Sequence, residues 1–572
     1  LLGVICATTV LVGALSVGDS VKLSLRDQAL QRVGQFSSAL AAGDRFVQAD
    51  LAKLIASTID GASCVPLMQL PGVAASAGGA TRTGIVDVFG ITDDFFAMSS
   101  SGRARPAPKP GHALLNERLA RQLSVAVGDE IIIRVEKPSL MPVEATMATV
   151  DDISFGLRVE IDDIISEQDF GRFGLRTSQI PPFNVFVALG WLQQELKLPG
   201  RANMLLTDLP VATADDALKA KWRITDAELQ ISNNVEQGYL EVTSSRVFLD
   251  APIVDAIQAV TPKAIGVVTY FVNSLKSKDT STPYSMISAV GPLTADANTP
   301  AALQELRQLA DSTVADDQIV CNQWLANDLN VTIGDPIEMT YTVMNSELQF
   351  EERSSTLRVH SIVPLTGAAA DPTLMPAFPG LAEAKNCRDW EPGIPVDLQK
   401  LQDEDQEYWT QHKGTPKGFV NLATGQQLWS NRFGTLTSVR TSNSKREQLE
   451  TELPRLIEPS SLNLFFQDFR APAMAAGIPA TDFGSLYLGL SFFLIVAALL
   501  LAAMMFAFGV EQRQSEIGTL LAIGYAPRTV RSLFFREALL LASIGSLIGS
   551  IGGAGYTHAV LYALDTLWQD TI

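Results

Sequence analysis

Two long stretches of the chain are apolar without a break, and a third opens it. Residues 484–508 (GSLYLGLSFFLIVAALLLAAMMFAF) run for 25 positions without an ionisable acid or base. As a helix this is ~37 Å, more than the ~30 Å hydrocarbon core of a bilayer. Residues 538–564 run for 27 positions whose titratable groups are His558 and tyrosine hydroxyls. Globular helices are about 11 residues long and keep a polar face, so both stretches predict transmembrane helices. Residues 1–17 carry no charge either and pass straight into an amphipathic segment without a small-x-small cleavage pattern, so they predict an uncleaved span. Apolar positions 23, 25, 29, 30, 33 and 36 keep a helical period that extends this span outward as a stalk.

The region between the spans mixes short amphipathic helices with alternating strands such as EIIIRVE (130–136) and STLRVHSIV (355–363). It contains an internal repeat. Residues 118–129 align without gaps on 324–335, sharing L-A-x-x-L-x-V-x-x-G-D at an offset of 206, and Asn116 coincides with Asn322. The motif predicts a short helix, a Gly-Asp turn and a strand. A fainter match pairs F-V-A-L (186–189) with F-V-N-L (419–422) at an offset of 233. The offset changes across residues 367–417 of the second copy, a stretch rich in Pro, Asp and Trp. The predicted fold class is an α+β domain of two related lobes, residues 18–245 and 246–483, joined to transmembrane α-helices.

Charge orients the chain. The short loop 509–537 carries Arg513, Arg528, Arg531 and Arg536 against Glu511, Glu516 and Glu537, a net of +1, while the chain as a whole carries -19. The positive-inside rule makes this loop cytoplasmic and both lobes extracytoplasmic; Lys22, Arg26 and Arg32 pull the other way, beside a long translocated region that partly escapes the rule. The acidic balance also argues against nucleic-acid binding, which needs a basic face. Four cysteines (Cys6, Cys64, Cys321, Cys387) exclude a disulfide-stapled scaffold and show no metal-ligand spacing.

Catalytic patterns are missing: no G-x-S-x-G, no H-E-x-x-H, and no G-x-x-x-x-G-K-[ST] phosphate loop. The lone S-x-x-K at 442–445 lies in a polar stretch without partner motifs. The Asp and Trp cluster from Asp371 to Trp409 reads as an ordered loop with packed aromatics, with a cation or sugar site as the alternative. Neither catalysis nor a metal or cofactor site is expected.

The cytoplasmic loop is more specific. A helix continues from the membrane with Glu511, Arg513 and Glu516; Gly518 and Gly524 bracket a short apolar stretch, and Pro527 opens the next helix. The pattern of Arg513, E-I-G (516–518), A-I-G (522–524), Arg528, Arg531 and Glu537 resembles the FtsX-like permease family, also described as the MacB type of ABC transporter membrane subunit. Gly545, Gly549 and Gly553, at four-residue spacing, also resemble it and would let helices approach closely. The match is dense over about 484–564; one span, a large outer domain and paired spans are laid out like the family's periplasmic core, though the doubled lobe and residues 367–417 depart from it.

The resemblance implies four spans, dimerisation, and a separate cytoplasmic ABC ATPase that binds the ATP and pushes on Glu511, Arg513, Glu516, Gly518, Ala522, Gly524, Arg528, Arg531 and Glu537. It further implies a multi-pass protein of the cell (inner) membrane in contact with lipids, partnered with a like or unlike permease and with an envelope protein. Export, lipoprotein extraction and regulation of envelope proteins are all within the family. Lacking an initial Met and opening inside an apolar run, the chain reads as a segment with a truncated first span (1–17) and a stub (565–572) leading to a fourth. The alternative is an extracytoplasmic ligand-binding sensor; a membrane-anchored hydrolase would need a nucleophile and base that the sequence does not offer.

Overall fold

The computed structural model describes residues 1–79, 81–136, 154–175, 181–235, 237–294, 299–311, 313–345, 349–394, 396–476 and 483–567. Helix α1 (Leu2–Val33) leads into the first lobe. The strands that follow are β1 (Ser38–Ala41), β2 (Val47–Gln48), β3 (Cys64–Ser76), β4 (Arg82–Ile91), β5 (His112–Asn116), β6 (Glu130–Glu136), β7 (Ser154–Ile165), β8 (Asn184–Ala188), β9 (Arg201–Ala202) and β10 (Met204–Thr207). Its helices are α2 (Leu51–Ala56), α3 (Glu117–Leu123), α4 (Leu189–Glu195) and α5 (Val211–Lys221).

The second lobe holds β11 (Leu229–Asn234), β12 (Tyr239–Ser244), β13 (Ile265–Ser277), β14 (Thr280–Pro292), β15 (Gln318–Asn322), β16 (Pro336–Met344), β17 (Phe350–Val363), β18 (Gly418–Asn421) and β19 (Ser438–Ser442). Its helices are α6 (Ala251–Val260), α7 (Gln304–Gln308), α8 (Gln323–Asp328), α9 (Asp403–His412), α10 (Leu422–Trp429) and α11 (Arg446–Leu456). Strand β20 (Phe466–Asp468) and helices α12 (Arg470–Ala476), α13 (Phe483–Gln512), α14 (Gln514–Ala522) and α15 (Pro527–Leu567) complete the described chain.

The two lobes have one topology. The first sheet runs β20-β1-β10-β3-β4-β8-β5-β7-β6 and the second β11-β12-β19-β13-β14-β18-β15-β17-β16. In each, the last strand returns to pair with the long one, β6 with β3 and β16 with β13, so six strands close on themselves and abolish a free edge. β3 can serve both parts because it is 13 residues long: Cys64 to Leu67 pair with β10, and Gly72 to Ser76, on the same edge, with β6.

The sequence repeat falls on equivalent elements. Asn116 and Asn322 cap α3 and α8 by accepting from Leu119 N at 3.1 Å and Leu325 N at 2.8 Å. Leu119, Leu123, Leu325 and Leu329 are buried in the cores of their lobes. Gly128 and Gly334 hold φ of 89° and 93°, a left-handed turn that only glycine adopts freely, and the next residue, Asp129 or Asp335, accepts a backbone N–H three residues back at 2.8 Å. F-V-A-L and F-V-N-L likewise sit at the β8/α4 and β18/α10 junctions, with Phe186 facing Leu114 and Phe419 facing Val320.

The expected boundary between lobes at 245/246 differs from the observed one. β11 and β12 form a hairpin belonging to the second sheet, while β20, far along the chain, completes the first by pairing with β1. An edge strand goes where an unpaired ladder is nearest in space, and β1, preceded by a helix, has no hairpin partner of its own. Between the sheets lies a shared core built from α2, α5, α6 and α11, with Leu51, Ile55, Leu218, Ile253, Ile257, Leu449 and Leu453 buried. Residues 367–417 pack back on the second lobe: Trp390 stands edge-on to Phe271 at 5.7 Å and to Trp409 at 4.9 Å. Two of its acids are buried in ion pairs, Asp405 with Lys417 at 3.0 Å and Asp371 with Arg440 at 2.7 Å, while Asp389, Asp403 and Glu404 stay on the surface.

The spans expected at 484–508 and 538–564 lie within longer helices that reach into the loop 509–537, and the second of these opens at Pro527 as the loop pattern predicts. α13 continues past the apolar run to Gln512 and α15 starts already at Pro527, because the backbone hydrogen bonds continue through flanking residues with good helix propensity. α1 likewise continues past residue 17, through the expected stalk, to Val33, ~48 Å in all, so about a third of it extends beyond a bilayer core. Among the described residues three helices are long and apolar enough to cross a membrane, within Leu2–Ser20, Ile495–Gln512 and Pro527–Ala563. Of the expected stub 565–572, residues 568–572 lie outside the described residues.

Candidate functional site

The loop between α13 and α15 is organised by Arg513. It breaks the helix, with φ −102° and ψ 17°, and its guanidinium reaches the two helices that follow. Nε donates to Glu516 in the first turn of α14 at 2.7 Å, and Nη1 donates to both carboxylate oxygens of Glu537 on α15 at 2.9 Å. The same group lies 5.2 Å from the centre of the Phe534 ring. The hydrogen bonds it donates to Glu516 and Glu537 hold it above the usual arginine range. Phe534 was not singled out from sequence; an aromatic three residues before Glu537 on one helix face is the signal that could have found it.

α14 is a nine-residue helix with little covering it. Gly524 ends it at φ 96°, where its N–H donates to Leu521 O and the Tyr525 N–H to Leu520 O, both at 3.1 Å. Ala522 is the last helical residue. A Cβ on Gly518 or Gly524 would touch nothing within 4 Å, so both face open space. Leu521, Ile523 and Tyr525 are exposed beside them, an apolar surface at the tip of the loop. Glu511, Arg528 and Arg531 are exposed and sit outside the Arg513 hub. The structure therefore brings Arg513, Glu516 and Glu537 together and leaves the remaining loop residues on the surface.

The small residues of α15 lie against α1. Cβ atoms built on Gly545, Gly549 and Gly553 would come within 3.0 Å of Val4, 2.6 Å of Thr8 and 2.8 Å of Val12. Both rows step by four residues, which places α1 and α15 parallel and close enough for Thr9 Oγ1 to donate to Gly549 O at 3.1 Å. On its other side α1 meets α13 in the opposite sense, with Gly3 against Ala502.

At the outer end both membrane connections reach the same place. Gly34 ends α1 at φ 58°, and a side chain there would meet the Phe170 ring at 2.6 Å. β1 and β20 then pair antiparallel, Ser38 with Asp468, Ala39 with Gln467 and Leu40 with Phe466. Beyond β20, Ser37 O accepts from Phe469 N at 3.0 Å, and Arg470 Nη1 donates to Gly34 O at 3.2 Å. Phe36, Phe95, Phe170, Phe173 and Phe469 close this junction as one aromatic cluster.

Among the described residues no group of three or more His, Cys, Asp or Glu is placed to hold a metal. Burial pushes the thiols of Cys64, Cys321 and Cys387 up, the first with help from Asp208, so none is an activated nucleophile.

Comparison with known proteins covers both ends of this layout. Residues 1–223 match the family described as MacB-like periplasmic core domain, and residues 488–571 match FtsX-like permease C-terminal. The first match ends just after α5, and the second lobe repeats the same strand order beyond it. The chain is similar to the periplasmic region of MacB from Actinobacillus actinomycetemcomitans, at 10% identity over 33% of this chain and 84% of that one, TM-score 0.21. It is also similar to the extracellular domain of the noncanonic ABC-type transporter YknZ from Gram-positive bacteria, at 10% identity over 34% and 90% of the two chains, TM-score 0.20. No curated protein matches it. The chain thus carries a MacB-like periplasmic core domain at its start and an FtsX-like permease C-terminal domain at its end, the two domain types of FtsX-like, MacB-type ABC transporter permeases.

Proposed function

We propose that this chain is the membrane subunit through which a separate cytoplasmic ATPase moves the two outer lobes. The observation that carries the reading is the pairing of β1 with β20. The helices α1 and α13, which pack against each other, lead to two hydrogen-bonded neighbouring strands of the outer domain. Relative movement of the two rods is delivered to one sheet edge.

In this reading α14 is the part the ATPase grips, its exposed Leu521, Ile523 and Tyr525 offering apolar surface and Gly518 room for close approach. Arg513 ties α14 to the ends of α13 and α15, so a push on the loop displaces both long helices together. ATP is bound and hydrolysed in the partner; this chain supplies a two-state element that the nucleotide biases. The loop is cytoplasmic, the protein spans the inner membrane several times, and its lobes serve export, lipoprotein extraction or control of an envelope protein, working as a pair of permeases.

The test is co-purification of the full-length protein with candidate ATPases and measurement of stimulated ATP hydrolysis. Arg513→Ala and Gly518→Trp should each abolish stimulation with little change in the thermal unfolding midpoint, since the Arg513 ion pairs are partly exposed and Gly518 faces open space. If no ATPase associates, or both variants stimulate as wild type does, the coupling reading fails and a ligand-sensing role takes its place.

A further inference from the structure

Arg45 and Arg246 hold equivalent places in the two repeats, each four residues or fewer beyond the first inner strand, β1 or β12, and each buried. Each reaches into the other lobe. Arg45 Nη2 pairs with Asp250 at 2.6 Å, and Arg246 Nη2 pairs with Asp44 at 2.8 Å. Between them lies Glu228, fully buried, with Oε2 4.0 Å from Arg45 Nη1 and 3.8 Å from Arg246 Nη1. These separations are too long for direct hydrogen bonds, and Glu228 Oε1, Glu228 Oε2 and Arg45 Nη1 are all buried without one.

The backbone marks the position too. Glu228 stands in the left-handed region at φ 62°, after the 3-10 turn Ile224–Ala227. Its counterpart in the second repeat, after the 3-10 turn Pro459–Leu462, is Asn463 at φ 60° and exposed. Asparagine is the ordinary residue for that conformation. The first repeat instead commits a carboxyl group to the interior of the joint, where the two crossed ion pairs are already neutral without it.

We propose that Glu228 is a proton-sensitive pin in the joint between the two lobes: protonated, it lets the crossed pairs close over it, and ionised, it draws water in and loosens them. The charged groups facing it are Arg45 and Asp44 from the turn after β1, Arg246 from the turn after β12, Asp250 at the start of α6 and Arg201 of β9; Asp226 and Arg223 lie on its own turn, with Asp50 from the start of α2 paired to Arg223. Burial pushes the Glu228 carboxyl from 4.5 up to about 7, although Arg246, Arg45 and Arg201 pull it down. A hydrated Glu228 in an opened joint keeps the lower value. The closed joint thus holds a proton that the open one releases, and rising pH favours opening tenfold per unit across that window, ~300-fold in all, levelling off above it.

The experiment uses the full chain in lipid nanodiscs. Infrared titration should show a protonated carboxyl band that disappears as pH rises through about 7 and is absent from Glu228→Gln. Hydrogen exchange, corrected for intrinsic rate, should show protection in residues 42–48 and 244–250 falling between pH ~5 and ~7.5 in wild type and constant in Glu228→Gln. Asp44→Asn, which removes the carboxylate that neutralises Arg246 and leaves its charge to Glu228, should move the transition to lower pH and decides the matter if Glu228→Gln does not fold. A carboxyl already ionised at the acid end, protection independent of pH, or a transition unmoved by Asp44→Asn would each overturn the proposal.

Discussion

Asn116 and Asn322, 206 residues apart, perform the same task in the two lobes: each caps a short helix with its side-chain oxygen and turns its amide nitrogen onto carbonyls of the segment entering β8 or β18. Asn116 Nδ2 donates to Gly171 O and Pro182 O, both at 2.8 Å; Asn322 Nδ2 donates to Pro416 O at 3.2 Å and Tyr408 Oη at 3.1 Å. Both are buried, so truncation leaves orphaned partners without water to replace the amide. Asn116→Ala and Asn322→Ala should each lower unfolding free energy by about 2 kcal/mol or more in chemical denaturation. A loss below about 0.5 kcal/mol, typical of a surface site, would show that the caps are dispensable.

The α1–α15 contact admits a matched pair of substitutions. Gly549→Leu drives a side chain into Thr8, whereas at Gly555 on the same helix a Cβ would meet nothing within 4 Å, leaving Gly555→Leu room to turn outward. Overpacking should cost the first variant ~1–3 kcal/mol and the second close to nothing, read as thermal stability in detergent. Equal effects would mean that the small-residue row is not what brings the helices together.

Gly518 and Gly524 should separate under alanine substitution. Gly524 holds φ 96°, which a side chain strains, so Gly524→Ala should fray the end of α14 at a cost of about 1 kcal/mol. Gly518 lies in regular helix with free space around it, so Gly518→Ala should add helicity. Circular dichroism and hydrogen exchange of the loop distinguish the two.

Acid should act through Asp371. Burial alone would raise its carboxyl, but the Arg440 guanidinium and the Thr373 hydrogen bonds more than offset this and hold it below the usual range. A depressed carboxyl contributes stability that is present above its unfolded value, near 3.9, and is lost as pH falls through the lower folded one. Asp371→Asn leaves Arg440 with Glu241 alone, at 2.9 Å, so it should cost ~3–5 kcal/mol at neutral pH. It should also flatten the acid limb of the stability curve. An acid limb as steep as that of wild type would remove Asp371 from the account.

The sequence alone determined whatever depends on local pattern. A charge-free run of 25 residues can satisfy its backbone in a membrane only as a helix, and G-D after L-A-x-x-L fixes a turn because glycine takes the positive φ and aspartate bonds back to the amide three residues before. The loop pattern around Arg513 was readable in the same way, as was the row Gly545, Gly549, Gly553.

The tertiary structure decided which distant segments meet. Phe466, Gln467 and Asp468 carry no pattern that distinguishes a strand, and they form one because β1 offers an unpaired edge. Arg45 and Arg246 sit at matching places in a repeat too diverged there to align, and Glu228 becomes unusual only when both close on it without touching. Hydrogen-bond partners of sheet edges, and the dielectric around a carboxyl, are set by the packing of residues hundreds of positions apart.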